Sequence, residues 1–192
     1  MSRATLLLAL LDQSFVAALP VIFFRRDGRL NARWFVTAAP YMTSILLLAA
    51  ALAGEIDPWT APDRRVAAAM NAGAVVLCAA SIALMAYTLG THRIPIALWH
   101  QENDAPRHIV TWGAYRRVRH PFYASFLLCL TGTVLALPHA ATLAILLYAI
   151  VALNWTAARE ERRLAASEFG EEYRTYMART GRFWPRLFGG AP

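Results

Sequence analysis

The chain has 192 residues, of which 58% are hydrophobic and 16% charged, and its mean hydropathy is +0.39. That leaves too little polar surface for a soluble globule of this size and predicts an integral membrane protein. The formal net charge of +7 comes from 19 arginines and no lysine; because these flank apolar runs instead of forming one polar basic face, no nucleic-acid partner is expected and the charge reads as a signal of orientation in a lipid bilayer.

Five apolar spans are predicted in chain order, at 4–24, 34–53, 66–88, 122–137 and 140–158. The first reads as a retained span, since no small-residue cleavage site precedes the arginines of 25–33. Asp12 within it is costly unless it faces the bundle interior; a hydrogen bond to Asn71 or Gln13, or a place near the outer interface, is the expected account. The third span is long enough, at about 1.5 Å per residue, to cross a hydrocarbon core of about 30 Å. Cys78 and Cys129 fall inside spans without CxxC or His/Cys spacing, so neither a disulfide nor a metal site is indicated. The fourth span is short and is expected to start in the headgroup zone.

Four arginines lie in 25–33, five in 93–119 and seven in 159–186, against three elsewhere. The positive-inside rule therefore puts the N-terminus outside, with the 89–121 loop and the C-terminal tail in the cytoplasm. Pro138 and His139 leave room only for a tight turn, so spans four and five form an antiparallel hairpin that brings His120 and Glu161 together. Beyond 158 the chain becomes amphipathic, with Leu164, Phe169, Tyr173 and Met177 near helical spacing. Gly170 is expected to split this tail, and Gly181 with Pro185 to end it. The fold class expected is all-α: about five transmembrane helices, a cytoplasmic loop and an amphipathic C-terminal helix.

Before the fourth span stand Gly113, Tyr115, Val118, Arg119, His120, Pro121 and Tyr123; after the fifth stand Glu160, Glu161, Leu164, Phe169, Gly170, Glu171, Glu172, Tyr173 and Tyr176. This arrangement, over about residues 100–186, resembles the isoprenylcysteine carboxyl methyltransferase family and its phospholipid methyltransferase relatives. The resemblance implies a single membrane domain over 1–192, in which 1–98 hold three spans and the start of a loop, 99–186 a cofactor-binding core and 187–192 a tail. It implies an enzyme without a soluble Rossmann domain that binds S-adenosylmethionine at the cytoplasmic face and methylates a lipophilic acceptor drawn from the bilayer. By position in the motif, the cofactor-contacting residues are Gln101, His108, Ile109, Val110, Tyr115, His120, Pro121, Phe122, Tyr123 and Glu161.

Two departures stand out. Arg107 occupies the place where the family often has a histidine, and Ala157 occupies the place, four residues before Glu161, where its carboxyl methyltransferases have an arginine. Arg159 or Arg119 is a candidate substitute, while Asn154 on the same helix suggests a neutral or differently charged acceptor; Asn154 and Arg159 are the expected acceptor-binding residues.

Methyl transfer is an in-line displacement at a sulfonium, so positioning outranks acid–base power. Glu160 and Glu161 can accept hydrogen bonds from an ammonium or ribose hydroxyls, and Arg119 and His120 can meet a carboxylate. Arg119, His120 and Glu160 are the expected catalytic set, because an amine or hydroxyl acceptor must lose a proton that a carboxylate acceptor does not carry. The expected reaction is O-methylation of an isoprenoid-like or other hydrophobic molecule. Phospholipid N-methylation, a non-catalytic assembly protein and a nicotinamide-dependent membrane reductase are the alternatives. Arg116 and Arg117 read as headgroup anchors, Phe183 and Trp184 as an interfacial belt, and Glu171 and Glu172 as surface charges.

Overall fold

The computed structural model describes residues 2–17, 24, 28–91 and 109–186. Within them the chain forms α1 (Arg3–Ala17), α2 (Ala32–Ala53), α3 (Arg64–Thr91), a short 3-10 turn (Gly113–Arg116), α4 (Pro121–Ala136), α5 (Ala140–Ala165) and α6 (Gly170–Arg179). No strand is present among the described residues, only the isolated bridges Phe24–Leu30 and Val118–Gly181. Each predicted span corresponds to a helix. Three of them, Trp34–Ala53, α3 and α5, are long and apolar enough to cross a membrane. α4, with 16 residues, spans about 24 Å at 1.5 Å per residue, short of a hydrocarbon core of about 30 Å. Residues 18–23 of the first predicted span lie outside the described residues. The chain is an all-α membrane protein.

α5 outruns its predicted span because hydropathy marks the membrane and not the helix. After 158 the sequence Arg159-Glu160-Glu161-Arg162-Arg163-Leu164-Ala165 is charged, yet made only of strong helix formers, and the helix continues through it.

α3 lies against α4 along much of its length, and both give up side-chain bulk to do so. A Cβ on Gly132 would stand 2.9 Å from Cys78 Sγ, and one on Gly73 would stand 2.9 Å from Leu135. Lipid supplies no hydrophobic drive between helices, so close packing of this kind is a main source of association. One core cluster, built on Met85, Phe122, Phe126, Leu130 and Leu153, lies toward one end of the bundle; another, built on Leu6, Leu48, Cys78 and Leu137, fills the other end.

Polar ties cross this apolar core. Gln13 donates to Thr133 Oγ1 at 2.8 Å and Ser81 donates to Asp12 Oδ1 at 3.0 Å, with both α1 side chains fully buried. The expected bond from Asp12 to Asn71 or Gln13 is not made. Ser81 stands ten residues, about 15 Å of helix, deeper than Asn71 on α3, and Asn71 instead accepts from Thr5 Oγ1 at 2.9 Å. Consecutive residues on a helix point about 100° apart, so Asp12 faces α3 while Gln13 faces α4. In α2, Pro40 has no N–H to give the Val36 carbonyl, and Tyr148 of α5 donates to that oxygen at 3.0 Å.

The connections sort into two ends. Trp59 N donates to Pro138 O at 2.7 Å, and Arg3 reaches Leu52 O, so the start of α1, the α2–α3 connection and the α4–α5 turn lie together. In that turn His139 Nδ1 accepts from Ala141 N at 3.1 Å, capping α5. The opposite end carries the 3-10 turn, the start of α4, the end of α5 and α6.

Candidate active site

At that second end, two irregular segments are held side by side. Gly113 has φ +58, and a Cβ there would stand 2.4 Å from Thr91 Oγ1; the glycine lets the turn dock on the end of α3, where Ala114 N donates to the same hydroxyl at 3.2 Å. Pro121 then opens α4 with its φ preset and no N–H to satisfy. After α6 the chain turns at Thr180 and runs beside 117–120. Gly181 N donates to Arg117 O at 3.1 Å, Arg119 N to Gly181 O at 2.8 Å and His120 N to Arg182 O at 3.0 Å. Tyr176 fastens α6 beneath this strap by donating to Tyr115 O at 2.6 Å.

The strap delivers an arginine to the end of α5. Glu161, with its side chain 7% exposed, receives Arg119 Nε at 2.8 Å and Arg182 Nη2 at 2.5 Å. His120 Nε2 stands 3.3 Å from the same carboxylate, close enough for ion pairing but without hydrogen-bond geometry. Arg119 is tied down further by the carbonyls of Met177 and Thr180, and Arg182 Nη1 donates to Asn154 Oδ1 at 2.6 Å. Glu160 points elsewhere: Tyr123 donates to its Oε1 at 2.7 Å and His120 Nδ1 lies 3.5 Å from its Oε2. The His120 and Tyr123 rings stack 5.3 Å apart, with Phe183 edge-on to both.

The two glutamates follow the apolar run of 140–158 and differ sharply in their electrostatics. Burial would raise the Glu161 carboxyl, but the close His120 ring and the hydrogen bonds from Arg182 and Arg119 outweigh it and hold the group well below the usual carboxylate range. Burial lifts Glu160 above its usual value, against the opposing His120 charge and Tyr123 hydrogen bond. The Arg182 guanidinium is held more firmly protonated by its bond to Glu161.

The structure brings together Arg119, His120, Tyr123, Glu160 and Glu161, as the hairpin argument requires, and places Asn154 at the edge of the cluster. Phe122 turns into the core, its ring 4.6 Å from that of Phe126. Ile109 and Val110 are half-buried ahead of Trp112, and Tyr115 contributes its backbone carbonyl to Tyr176. Arg159 lies over the Trp155 ring at 6.0 Å. Gln101 and His108 lie outside the described residues. Sequence reasoning missed Arg182, and read Phe183 only as part of an interfacial belt. The one local signal was Gly181, noted as a helix stop, where a Cβ would fall 1.6 Å from Trp184 O.

Chemically, the cluster offers cations, carboxylates and aromatic faces within one small volume, at the edge of an apolar bundle. These groups fit a zwitterionic sulfonium: Arg119 and His120 for a carboxylate, Glu160 for an ammonium, and the Tyr123 and Phe183 faces for the sulfonium charge. A model of the phospholipid methyltransferase family matches residues 66–172, from the first turn of α3 into α6. No curated protein and no solved structure matches the chain.

Proposed function

We propose, for a chain that belongs to the phospholipid methyltransferase family and is thus a membrane methyltransferase acting on lipid-like substrates, that the methyl donor is S-adenosylmethionine and that the acceptor is a lipophilic molecule methylated on oxygen. The observation that carries this reading is the convergence of Arg119, His120, Tyr123, Glu160 and Glu161 where the α4–α5 hairpin ends. S-adenosylmethionine, when bound, supplies an activated methyl group and a neutral leaving sulfide. The residues supply position: Glu161 fixes the two guanidinium groups, and Tyr123 with Glu160 and His120 sets a polar wall against the Phe183 ring.

Glu160 is the group suited to hold a proton. It sits 3.5 Å from the His120 ring, and its raised carboxyl pKa brings it nearer the range where a base works at neutral pH. A hydroxyl or amine acceptor needs such a base, and a carboxylate does not. This observation, with the family to which the chain belongs, also favours a second reading, methylation of a phospholipid amine. The charged end of the bundle is assigned to the cytoplasm, because sixteen of the 19 arginines fall in 25–33, 93–119 and 159–186, the segments that share one side in the five-span reading.

Calorimetry in detergent tests the donor. The wild type is expected to bind S-adenosylmethionine saturably, and His120→Ala to weaken binding at least about tenfold. Absence of saturable binding to the wild type would overturn the reading.

A further inference from the structure

We propose that Arg182 and Asn154 form an anion subsite that takes a charged head group of the acceptor, so that the acceptor carries a carboxylate or phosphate; the proposal deepens the methyltransferase reading above and rests on it.

Arg119 and Arg182 both face Glu161, and one carboxylate neutralises only one of them; the neighbouring Glu160 is engaged by Tyr123 and His120 instead. The side chain of Arg119 is 9% exposed and directs three of its five N–H donors at Glu161, Met177 O and Thr180 O. Arg182 is 30% exposed, so the excess positive charge is reachable there.

A guanidinium has five N–H groups. Among the described residues those of Arg182 meet Glu161 through Nε and Nη2 and Asn154 through one Nη1 hydrogen, which leaves two. Asn154 uses its oxygen toward Arg182, and its amide N–H groups are directed at no described partner. The surplus of this pair is therefore made only of donors beside a positive charge, the complement of a carboxylate or phosphate.

Asn154, Ala157 and Glu161 follow one another along one face of α5; Ala157 and Glu161 are buried, and Asn154 is the exposed end of the row. Beside that row run Leu147, Val151 and Trp155, which are 56%, 70% and 58% exposed, a face fit for contact with lipid chains. An amphiphile arriving from the bilayer along it meets Arg182 first.

Amphiphiles that share one isoprenoid chain and end in a carboxylate, a phosphodiester or an alcohol provide the test, titrated in detergent against the full chain. The wild type is expected to bind at least one anionic form about tenfold or more tighter than the alcohol. Arg182→Gln and Asn154→Leu are each expected to shrink that preference to about threefold or less, with S-adenosylmethionine affinity kept within about twofold. Tighter binding of the carboxylate assigns an acid as acceptor, and tighter binding of the phosphodiester assigns a phospholipid. No head-group preference in the wild type, a preference that survives both substitutions, or a loss that falls on S-adenosylmethionine instead would overturn the proposal. Head-group preference is read without the donor, so failure of donor binding strikes the methyltransferase reading separately.

Discussion

Glu160 and Glu161 are neighbours in sequence and opposites in energetics. Consecutive positions on a helix point about 100° apart, which sends Glu161 toward two guanidinium groups and Glu160 toward a phenol and an imidazole. Glu161 has its carboxyl pKa lowered in the folded state, so its stabilisation is fully present above the unfolded value of about 4.5 and is lost as pH falls through the folded one. Glu160 has its pKa raised, so the folded state takes up a proton first and gains stability as pH falls toward about 4.5. Thermal unfolding in detergent, followed from about pH 7 to about pH 3, separates them. Glu161→Gln is expected to cost about 3 kcal/mol at neutral pH, the penalty for leaving buried cations short of a partner, with the deficit closing only below about pH 4.5. Glu160→Gln is expected to be as stable as the wild type or more so at neutral pH, and to lose that margin on acidification. Parallel pH profiles for the two variants would contradict this assignment of opposite roles.

At the scale of elements, the site depends on pairing between the segment before α4 and the strap after α6. The hairpin of α4 and α5 was legible from sequence because Pro138 and His139 permit nothing but a turn, and from it followed the meeting of His120 with Glu161. The strap was not legible. Thr180 to Phe183 carry no periodicity, Arg182 looks like any interfacial arginine, and backbone pairing between two irregular segments far apart in sequence is set by tertiary context. Gly181 is the residue that permits it, since a side chain would drive into the Trp184 carbonyl. Gly181→Ala is therefore expected to release the strap, exposing 180–186 to protease and weakening S-adenosylmethionine binding at least about tenfold, with helical content unchanged. Gly90→Ala is the control: a Cβ there meets nothing within 4 Å, and near-neutral behaviour is expected within about 1 kcal/mol. Equal protease resistance of both variants would show that the strap does not depend on Gly181.

For the whole molecule, sidedness links sequence to function. Composition was enough to indicate a membrane protein, and the apolar runs located all five helices; the polar ties of α1 escaped because a pattern of spans does not say which face of a helix meets which neighbour. The arrangement of ends is now physical: Trp59 meets Pro138, so the α2–α3 connection and the α4–α5 turn share one end, while Glu161 and its arginines share the other. A donor dissolved in water and an acceptor dissolved in lipid can both reach a site at such an end, each from its own phase. We propose from the arginine imbalance that this end faces the cytoplasm, and impermeant maleimide labelling tests it. The native Cys78 and Cys129 are buried, which keeps background low. Asp57→Cys, in the α2–α3 connection, is expected to label on intact cells; Ser167→Cys, exposed between α5 and α6, is expected to label only after permeabilisation. The reverse pattern would place the site on the outer face, where cytoplasmic S-adenosylmethionine does not reach it. Labelling of both on intact cells would mean that the two ends of the bundle do not lie on opposite sides of the membrane.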